Sequence, residues 1–198
     1  MDIGSKVPSL TIGPFPINNA TLRICIRGVG ISDVQVTQDP PVGIYVDGVY
    51  IARSTGTALD VADLERIEIL RGPQGTLYGR NTTGGAINLI TKKPTTDTLE
   101  FKQKLTFGNR DLFTSKTMVN IPLTDTLAVK LAALQTMQDG HVANDGPGGD
   151  FGDRDVGGFR FDLRWDISDT LALDYAYDKS DFDYYNSQYQ HVRKRTPI

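Results

Sequence analysis

Apolar and polar residues alternate along the second half of the chain, from Leu99 onward. The stretch FRFDLRWDI at residues 159–167 shows this most clearly, because Phe, Leu, Trp and Ile fill its odd positions while Arg and Asp fill its even positions. Four further stretches, which begin at Leu99, Phe113, Leu127 and Leu171, follow the same pattern, and every charged residue in the five is even-numbered. Since successive side chains of a strand point to opposite faces, the pattern predicts five strands that share one apolar face.

The connections between these stretches alternate in length. PLTDT and SDT are tight turns, whereas GNRDL and the longer DGHVANDGPGGDFGDRDVGG connect the opposite ends. Short turns at one edge, longer loops at the other, an apolar outer face and a polar inner face are typical of an outer-membrane barrel. The alternative is an antiparallel sheet in water that packs one face on a core. Charges of both signs on the polar face, and the lack of a helical pattern that would cover the apolar face, favour the barrel.

The first half of the chain, up to Pro94, contains short strand-like pieces among many glycines. YVDGVY places Asp47-Gly48 between apolar residues and predicts a two-residue hairpin turn. RGPQGTLYGRNTTGG, at residues 71–85, lies between the strand-like runs LERIEIL and GAINLITKKP, so it predicts a glycine loop between two strands. It does not match the phosphate-binding Walker pattern, because no Lys follows its spaced glycines. DLERI is compatible with a short helical turn, and this half indicates a small mixed α/β globule.

The composition of the chain argues against nucleic-acid binding, metal binding and catalysis. The 198 residues carry a net charge of −3, which offers no basic surface for nucleic acid. The single cysteine, Cys25, cannot form an internal disulfide, and the two histidines, His141 and His191, have no ligand or triad partner at a suitable spacing. The Asp/Gly loop from Asn144 to Asp155 lacks the spacing of an EF-hand and is expected to be an exposed loop. We therefore expect no enzymatic activity, no metal site and no cofactor.

Three segments carry a resemblance to a known family. LERIEILRGPQGTLYGRNTTGGAINLITKKP closely resembles the signature of the plug domain of TonB-dependent outer-membrane receptors. IRGVG, from Ile26 to Gly30, and PPVGIYVDGVYIARS, from Pro40 to Ser54, resemble two further plug segments in the same order. In that family a globular plug fills a barrel of about 22 strands.

The resemblance implies a fold and a function. The expected fold class is an α+β plug domain, truncated at its N-terminus, over residues 1–96, followed by antiparallel β-strands of an incomplete transmembrane β-barrel. About five barrel strands would lie within residues 97–198, and the C-terminal part of the barrel would be missing. The implied function is that of a fragment of a TonB-dependent receptor for active uptake of ferric chelates or other scarce nutrients, in the outer membrane of a Gram-negative bacterium. Such a fragment is not expected to transport alone. The alternative is a soluble binding or interaction module derived from the plug.

The resemblance also assigns residues and partners. Arg27 and Arg71 match the two plug arginines that anchor the plug to barrel carboxylates. The glycine loop is interpreted as structural, through positive φ and close backbone approach, at Gly72, Gly75, Gly79, Gly84 and Gly85. Ligand is expected to meet two plug loops at Ser32, Asp33, Gln35, Gln38, Arg53, Ser54 and Thr55. The implied partners are the TonB complex of the inner membrane, a siderophore-like or other small nutrient ligand and outer-membrane lipid, with no nucleic acid.

Overall fold

The computed structural model describes residues 7–15, 18–31, 38–52, 63–147 and 149–183. These residues form three β-sheets and one short helix. Two small sheets make up the part of the chain before residue 92, which we call the N-terminal module. A five-stranded sheet follows, which we call the large sheet. No helix in the described ranges has the length and apolar character needed to cross a membrane.

The N-terminal module is built from one antiparallel sheet and one mixed sheet. The first has the order β1-β2-β3 and the second the order β5-β4-β7-β6, in which β4 and β7 are parallel. The strands are β1 (Leu10–Phe15), β2 (Asn18–Ile26), β3 (Val29–Gly30), β4 (Val42–Val46), β5 (Val49–Ile51), β6 (Leu64–Arg71) and β7 (Gly85–Thr91).

Branched apolar side chains from both small sheets form the core of the module. Val42 and Ile44 of β4 and Ile87 of β7 pack with Leu10 and Ile26 of the first sheet. Ile26 is completely buried. Because side chains alternate along a strand, Tyr45 of β4 and its register partner Asn88 of β7 lie on the opposite face of the mixed sheet.

The predicted hairpin at Asp47-Gly48 is confirmed. It joins β4 to β5, and φ is 48° at Asp47 and 84° at Gly48, as a type I′ turn requires. Arg27-Gly28 makes a second turn of this kind between β2 and β3, with φ of 52° and 81°. Asp47 and Arg27 therefore stand at fixed turn tips, and their side chains project from the ends of the small sheets.

The glycine loop lies between β6 and β7, as predicted, and contains the helix α1 (Gly75–Tyr78). The helical turn considered at DLERI is wrong, since β6 begins at Leu64 and pairs with β7 along its length. Pairing with a buried neighbour outweighs local helical preference there. With one helix of four residues in the described ranges, the module is mostly β-structure with little of the α component that was expected.

The large sheet contains the five predicted strands in sequential antiparallel order. They are β8 (Glu100–Gly108), β9 (Leu112–Pro122), β10 (Leu127–Gln138), β11 (Arg154–Ser168) and β12 (Leu171–Asp183). The sheet is open, with β8 and β12 at its two edges. The tight turns and the longer connections lie at opposite ends, as the sequence indicated.

Burial in the large sheet follows the predicted two-residue period, with the charged face inside. In β9, β10 and β11 every buried residue is even-numbered, and these residues include Lys130, Arg160 and Asp162. The odd-numbered residues of the sheet are half-buried or exposed even where they are large and apolar, and Phe101 and Trp165 are exposed. The large sheet therefore covers its polar face and presents its apolar face outward.

The separation of charges stops near the end of β12. Asp155 of β11 and Lys179, Asp181 and Asp183 of β12 are odd-numbered and share the outward face with the apolar residues. The strands extend beyond the stretches in which the sequence alternates. The outward apolar surface thus has a polar border at the end that carries the longer loops.

The glycine loop yields a test of the fold at Gly85. Its φ is 150°, and a Cβ there would overlap the carbonyl oxygen of Leu70 on the paired strand. We expect Gly85→Ala to destabilise the N-terminal module by about 2–4 kcal/mol, because neither the backbone nor the neighbour can yield freely. Pulse proteolysis across a urea gradient would measure the shift.

Gly75→Ala is the matched control. Gly75 has no positive φ, and a Cβ there would meet nothing within 4 Å, so the structure does not require glycine at this predicted position. Alanine in a helix should leave stability unchanged or raise it by about 0.5–1 kcal/mol. Equal losses for the two variants would contradict the strand pairing described here.

Candidate functional site

The buried face of the large sheet contacts the N-terminal module through a cluster of charged side chains around Arg160. Nη2 of the guanidinium lies 2.7 Å from Asp162 Oδ1, and Nε donates to the same oxygen at 2.9 Å. The same Nη2 reaches Asp47 Oδ2 of the module at 3.4 Å and Thr91 Oγ1 at 3.3 Å. The Arg160 side chain is 4% exposed, so these contacts are made away from bulk water. Arg160 therefore joins its own strand to the end of β7 and to the β4–β5 turn.

Asp47 is held in place by the module itself. The backbone N–H of Thr91 donates to Asp47 Oδ1 and the Thr91 hydroxyl donates to Oδ2, both at 2.8 Å. The Asp47 N–H donates to the Leu89 carbonyl at 2.9 Å. The left-handed turn conformation at Asp47 makes this arrangement possible, since it carries the carboxylate back over the end of the neighbouring strand. The carboxylate is thus positioned before it meets Arg160.

Asn120 of β9 binds the segment that links the module to the large sheet. Its Oδ1 accepts from the Thr95 N–H at 3.0 Å, and its Nδ2 donates to the carbonyls of Thr95 at 2.9 Å and Thr98 at 2.8 Å. Asn120 is 2% exposed. The three hydrogen bonds of this buried amide fix the path of the linking segment, because breaking them would leave the amide without partners.

Three ion pairs lie near this segment, and each joins a lysine to a carboxylate. Lys92 Nζ lies 3.0 Å from Glu100 Oε2, Lys102 Nζ lies 3.6 Å from Asp63 Oδ2, and Lys93 pairs with Asp174 of β12. The lysine side chains are 39–56% exposed, so water screens each of these pairs and each adds little stability. They favour one orientation of the module on the sheet more than they add stability.

Lys130 is the most deeply buried cation in the described ranges. Its side chain is 2% exposed and its Nζ lies 3.8 Å from Asp162 Oδ2, too far for a hydrogen bond. Lys130 stands opposite Asp162 on β11 and opposite Asn120 on β9 in the strand register. Lys130 and Arg160 therefore both neutralise the buried carboxylate of Asp162.

Three tyrosines attach the glycine loop to the module. The Tyr45 hydroxyl donates to the Tyr78 carbonyl at 2.5 Å, and its ring packs edge-on against that of Tyr78 at 5.0 Å. The ring of Tyr50 lies 5.4 Å from that of Tyr45, and the Tyr50 hydroxyl accepts from the Asn81 side-chain amide at 2.9 Å. Burial raises the pKa of the Tyr45 phenol, and the two neighbouring tyrosines raise it further. Tyr45 is therefore a neutral hydrogen-bond donor that holds α1 against β4.

The structure brings the two predicted anchoring arginines together. The Arg27 Nη1 lies 3.8 Å from the position of a Cβ on Gly72, the residue after Arg71. Arg71 Nη1 reaches the Pro8 carbonyl at 3.5 Å. Both side chains are exposed, and within the described ranges neither forms an ion pair. They form one basic surface on the module, and their role as anchors stays a prediction.

Most of the predicted ligand residues lie outside the described ranges. These are Ser32, Asp33, Gln35, Arg53, Ser54 and Thr55, whereas Gln38 is described and exposed. The described residues contain no group of three or more His, Cys, Asp or Glu side chains suited to a metal ion. In the Asp/Gly loop, Asp150 Oδ1 accepts from the Asn144 N–H at 3.0 Å and so supports the loop backbone.

Sequence reasoning missed Asp47, Asn120 and Arg160. The sequence pattern identifies Asp47 only as a turn residue and gives no role to Asn120, an even-numbered residue of the alternating stretch that begins at Phe113. The available signal was the pair of opposite charges two residues apart, Arg160 and Asp162, on a face predicted to be polar. Such a pair predicts a local ion pair, but it does not say which distant residue completes it.

Comparisons with known proteins agree on one kind of receptor. Residues 1–86 match the family model described as TonB-dependent Receptor Plug Domain. The pesticin receptor of Yersinia enterocolitica is 36% identical over 132 residues, which are 66% of this chain and 19% of that receptor. The ferripyoverdine receptor of Pseudomonas aeruginosa is 32% identical over 143 residues, which are 71% of this chain and 16% of that receptor.

A solved structure extends the similarity into the large sheet. The crystal structure of the ferric yersiniabactin uptake receptor FyuA from Yersinia pestis matches with a TM-score of 0.75 and 31% identity, over 88% of this chain and 27% of that chain. The chain spans about a fifth of the length of the curated relatives named above.

Proposed function

Because this chain belongs to the TonB-dependent receptors of the Gram-negative outer membrane, we propose that it is part of a receptor that takes up a ferric siderophore or a similar scarce metal chelate. One observation carries the proposal: a segment with the plug signature is followed directly by a sheet that buries its charges and exposes its apolar residues. A sheet of that kind suits a barrel wall, with lipid outside and a polar plug inside.

We assign residues 1–96 to the plug and residues 97–198 to the first five strands of a transmembrane β-barrel. The open sheet, its outward apolar residues and its tight turns at one end support this division. The N-terminal module corresponds to the plug, and its contacts with Arg160 and Asn120 lie where a plug would meet the inner face of the barrel.

The proposed ligand class follows from the relatives. Their names state ferric yersiniabactin and ferripyoverdine as ligands of those receptors. For this chain we infer an iron(III) chelate that meets the loops around Gln38 and around Arg53, with the metal held by the chelator. The energy for uptake would come from contact with the TonB complex of the inner membrane.

Uptake by the full-length receptor that carries this sequence tests the proposal. The receptor would be expressed in a Gram-negative strain without its own siderophores and siderophore receptors. Cells would then be offered ⁵⁵Fe complexed with yersiniabactin, pyoverdine or a catecholate. We expect accumulation of iron from at least one chelate, and loss of that accumulation when TonB is deleted.

Accumulation that continues without TonB, or no accumulation from any chelate by a receptor shown to be folded in the outer membrane, would contradict the proposal. Folding can be checked by the change in electrophoretic mobility on heating. An unrelated nutrient taken up in a TonB-dependent way would keep the receptor class and overturn the ligand class.

We also infer that Arg27 and Arg71 anchor the plug to carboxylates of the barrel. Their common position on one exposed surface supports this inference. In the full-length receptor, Ala at both positions should make the plug more sensitive to protease while the barrel stays folded. Arg66→Ala is the matched control, because Arg66 pairs with Glu65 and Glu68 inside the module. Unchanged protease resistance of the double variant would contradict the anchoring role.

A further inference from the structure

Two of the contacts between the N-terminal module and the large sheet differ in character. Asn120 makes three hydrogen bonds to residues 95–98 and is 2% exposed. Asp47 meets Arg160 once, at 3.4 Å, and the Asp47 side chain is 37% exposed. The first contact holds the linking segment and the second holds the body of the module, so the two can be broken separately.

Each side of the Asp47–Arg160 contact keeps its other partners when the contact breaks. Arg160 retains Asp162, at 2.7 and 2.9 Å, and Asp47 retains both donors of Thr91. Opening also breaks the bond from Arg160 Nη2 to Thr91 Oγ1 at 3.3 Å, but the Thr91 hydroxyl keeps its bond to Asp47. Separation therefore leaves none of these groups without a partner, and it costs one long ion pair and one long hydrogen bond.

The contact at Asn120 has the opposite property. Its loss would leave the buried side-chain amide of Asn120, near the C-terminal end of β9, without the three hydrogen bonds that satisfy it. Pro94, which is buried beside this segment, fixes one backbone dihedral just before the hydrogen-bonded residues. Leaving a buried amide unpaired costs more than breaking long contacts whose groups keep other partners, so this attachment should outlast the other.

We propose that Asn120 holds residues 95–98 as a fixed hinge, and that Asp47 and Arg160 form a releasable latch between the module and the large sheet. When the latch opens, the module swings away from β11 while its C-terminal link stays on β9. The inference rests on the proposed function only in that a plug must be displaced for a ligand to pass.

Cysteine labelling can measure the two contacts independently. Ala132 and Ala128 are both buried on β10, at 3% and 0% exposure. Ala132 is the register partner of Arg160 and reports on the latch. Asn120 is the register partner of Lys130. Ala128 is the next residue of β10 on the same inward face as Lys130, and it reports on the hinge. In the full-length receptor, with Cys25 and any other native cysteine replaced by Ser, Cys would be placed at one of these positions and labelled with a maleimide in detergent, without ligand.

The latch variant is Asp47→Asn. Asparagine keeps the size of the side chain and the acceptor for the Thr91 N–H, and its amide can donate to the Thr91 hydroxyl, so only the attraction to Arg160 is lost. We expect labelling at position 132 to become about fivefold faster. Labelling at position 128 should change by less than about twofold, within the scatter of an independent site.

The hinge variant is Asn120→Ala. It should speed labelling at position 128 on the order of tenfold or more, because three buried hydrogen bonds are lost. If this receptor fails to fold, Asn120→Asp replaces it, since Lys130 stands opposite and can pair with the new carboxylate. Thr114→Val is the control for both, because the Thr114 hydroxyl bonds to Thr136 within the large sheet.

The proposal is overturned if Asp47→Asn leaves labelling at position 132 unchanged, or if it speeds both positions equally. It is also overturned if a folded Asn120 variant labels at position 128 no faster than the parent. Because no ligand or energy source is used, these outcomes are separate from the uptake experiment. A receptor with the expected labelling but no iron uptake would contradict the proposed function and leave the latch intact.

Discussion

A sheet that buries its charged face must find a partner for every charge on that face, and this requirement shapes the rest of the molecule. In the large sheet the inner face carries Lys130, Arg160 and Asp162, each almost completely buried. Charges in such surroundings are tolerated only when they are paired, because an isolated buried charge costs several kcal/mol. Arg160 and Lys130 share Asp162, and Arg160 Nη1 also lies 3.9 Å from Asp178 Oδ1 of β12. Arg160 Nη2 turns toward the N-terminal module.

The N-terminal module provides a partner for Arg160 through a group that its own fold holds in position. The type I′ turn directs Asp47 toward Arg160, and the hydrogen bonds from Thr91 fix the carboxylate in that direction. The module has a small core between two short sheets, and the contacts described above between it and the large sheet are polar. This division suits a plug in a barrel. Polar contacts that are exchanged for other polar contacts can be broken and remade at low cost.

The sequence predicted those features that depend on neighbouring residues. Alternation from Leu99 onward predicted five strands and their two faces, and Asp47-Gly48 predicted a hairpin turn. The glycine loop between β6 and β7 also followed from local pattern. The helical turn at DLERI was wrong, because pairing with β7 decided the structure of that stretch. Contacts between distant residues could not be predicted in this way. Arg160 and Asp47 are 113 positions apart, and only the strand register and the turn geometry bring them together. The partners of Arg27 and Arg71 stay unassigned for the same reason.

In the full-length receptor, we expect the large sheet to face lipid with its odd-numbered residues and the plug with its even-numbered residues. A nitroxide scan along β11, from Phe159 to Asp166, tests it most directly in the full-length receptor reconstituted in a bilayer. Accessibility to oxygen, which concentrates in lipid, and to a water-soluble nickel complex would be measured at each position. We expect a two-residue period, with high oxygen accessibility at odd positions such as Leu163 and low oxygen accessibility at even positions such as Arg164. Similar oxygen accessibility at neighbouring positions, or a maximum at the even ones, would contradict it.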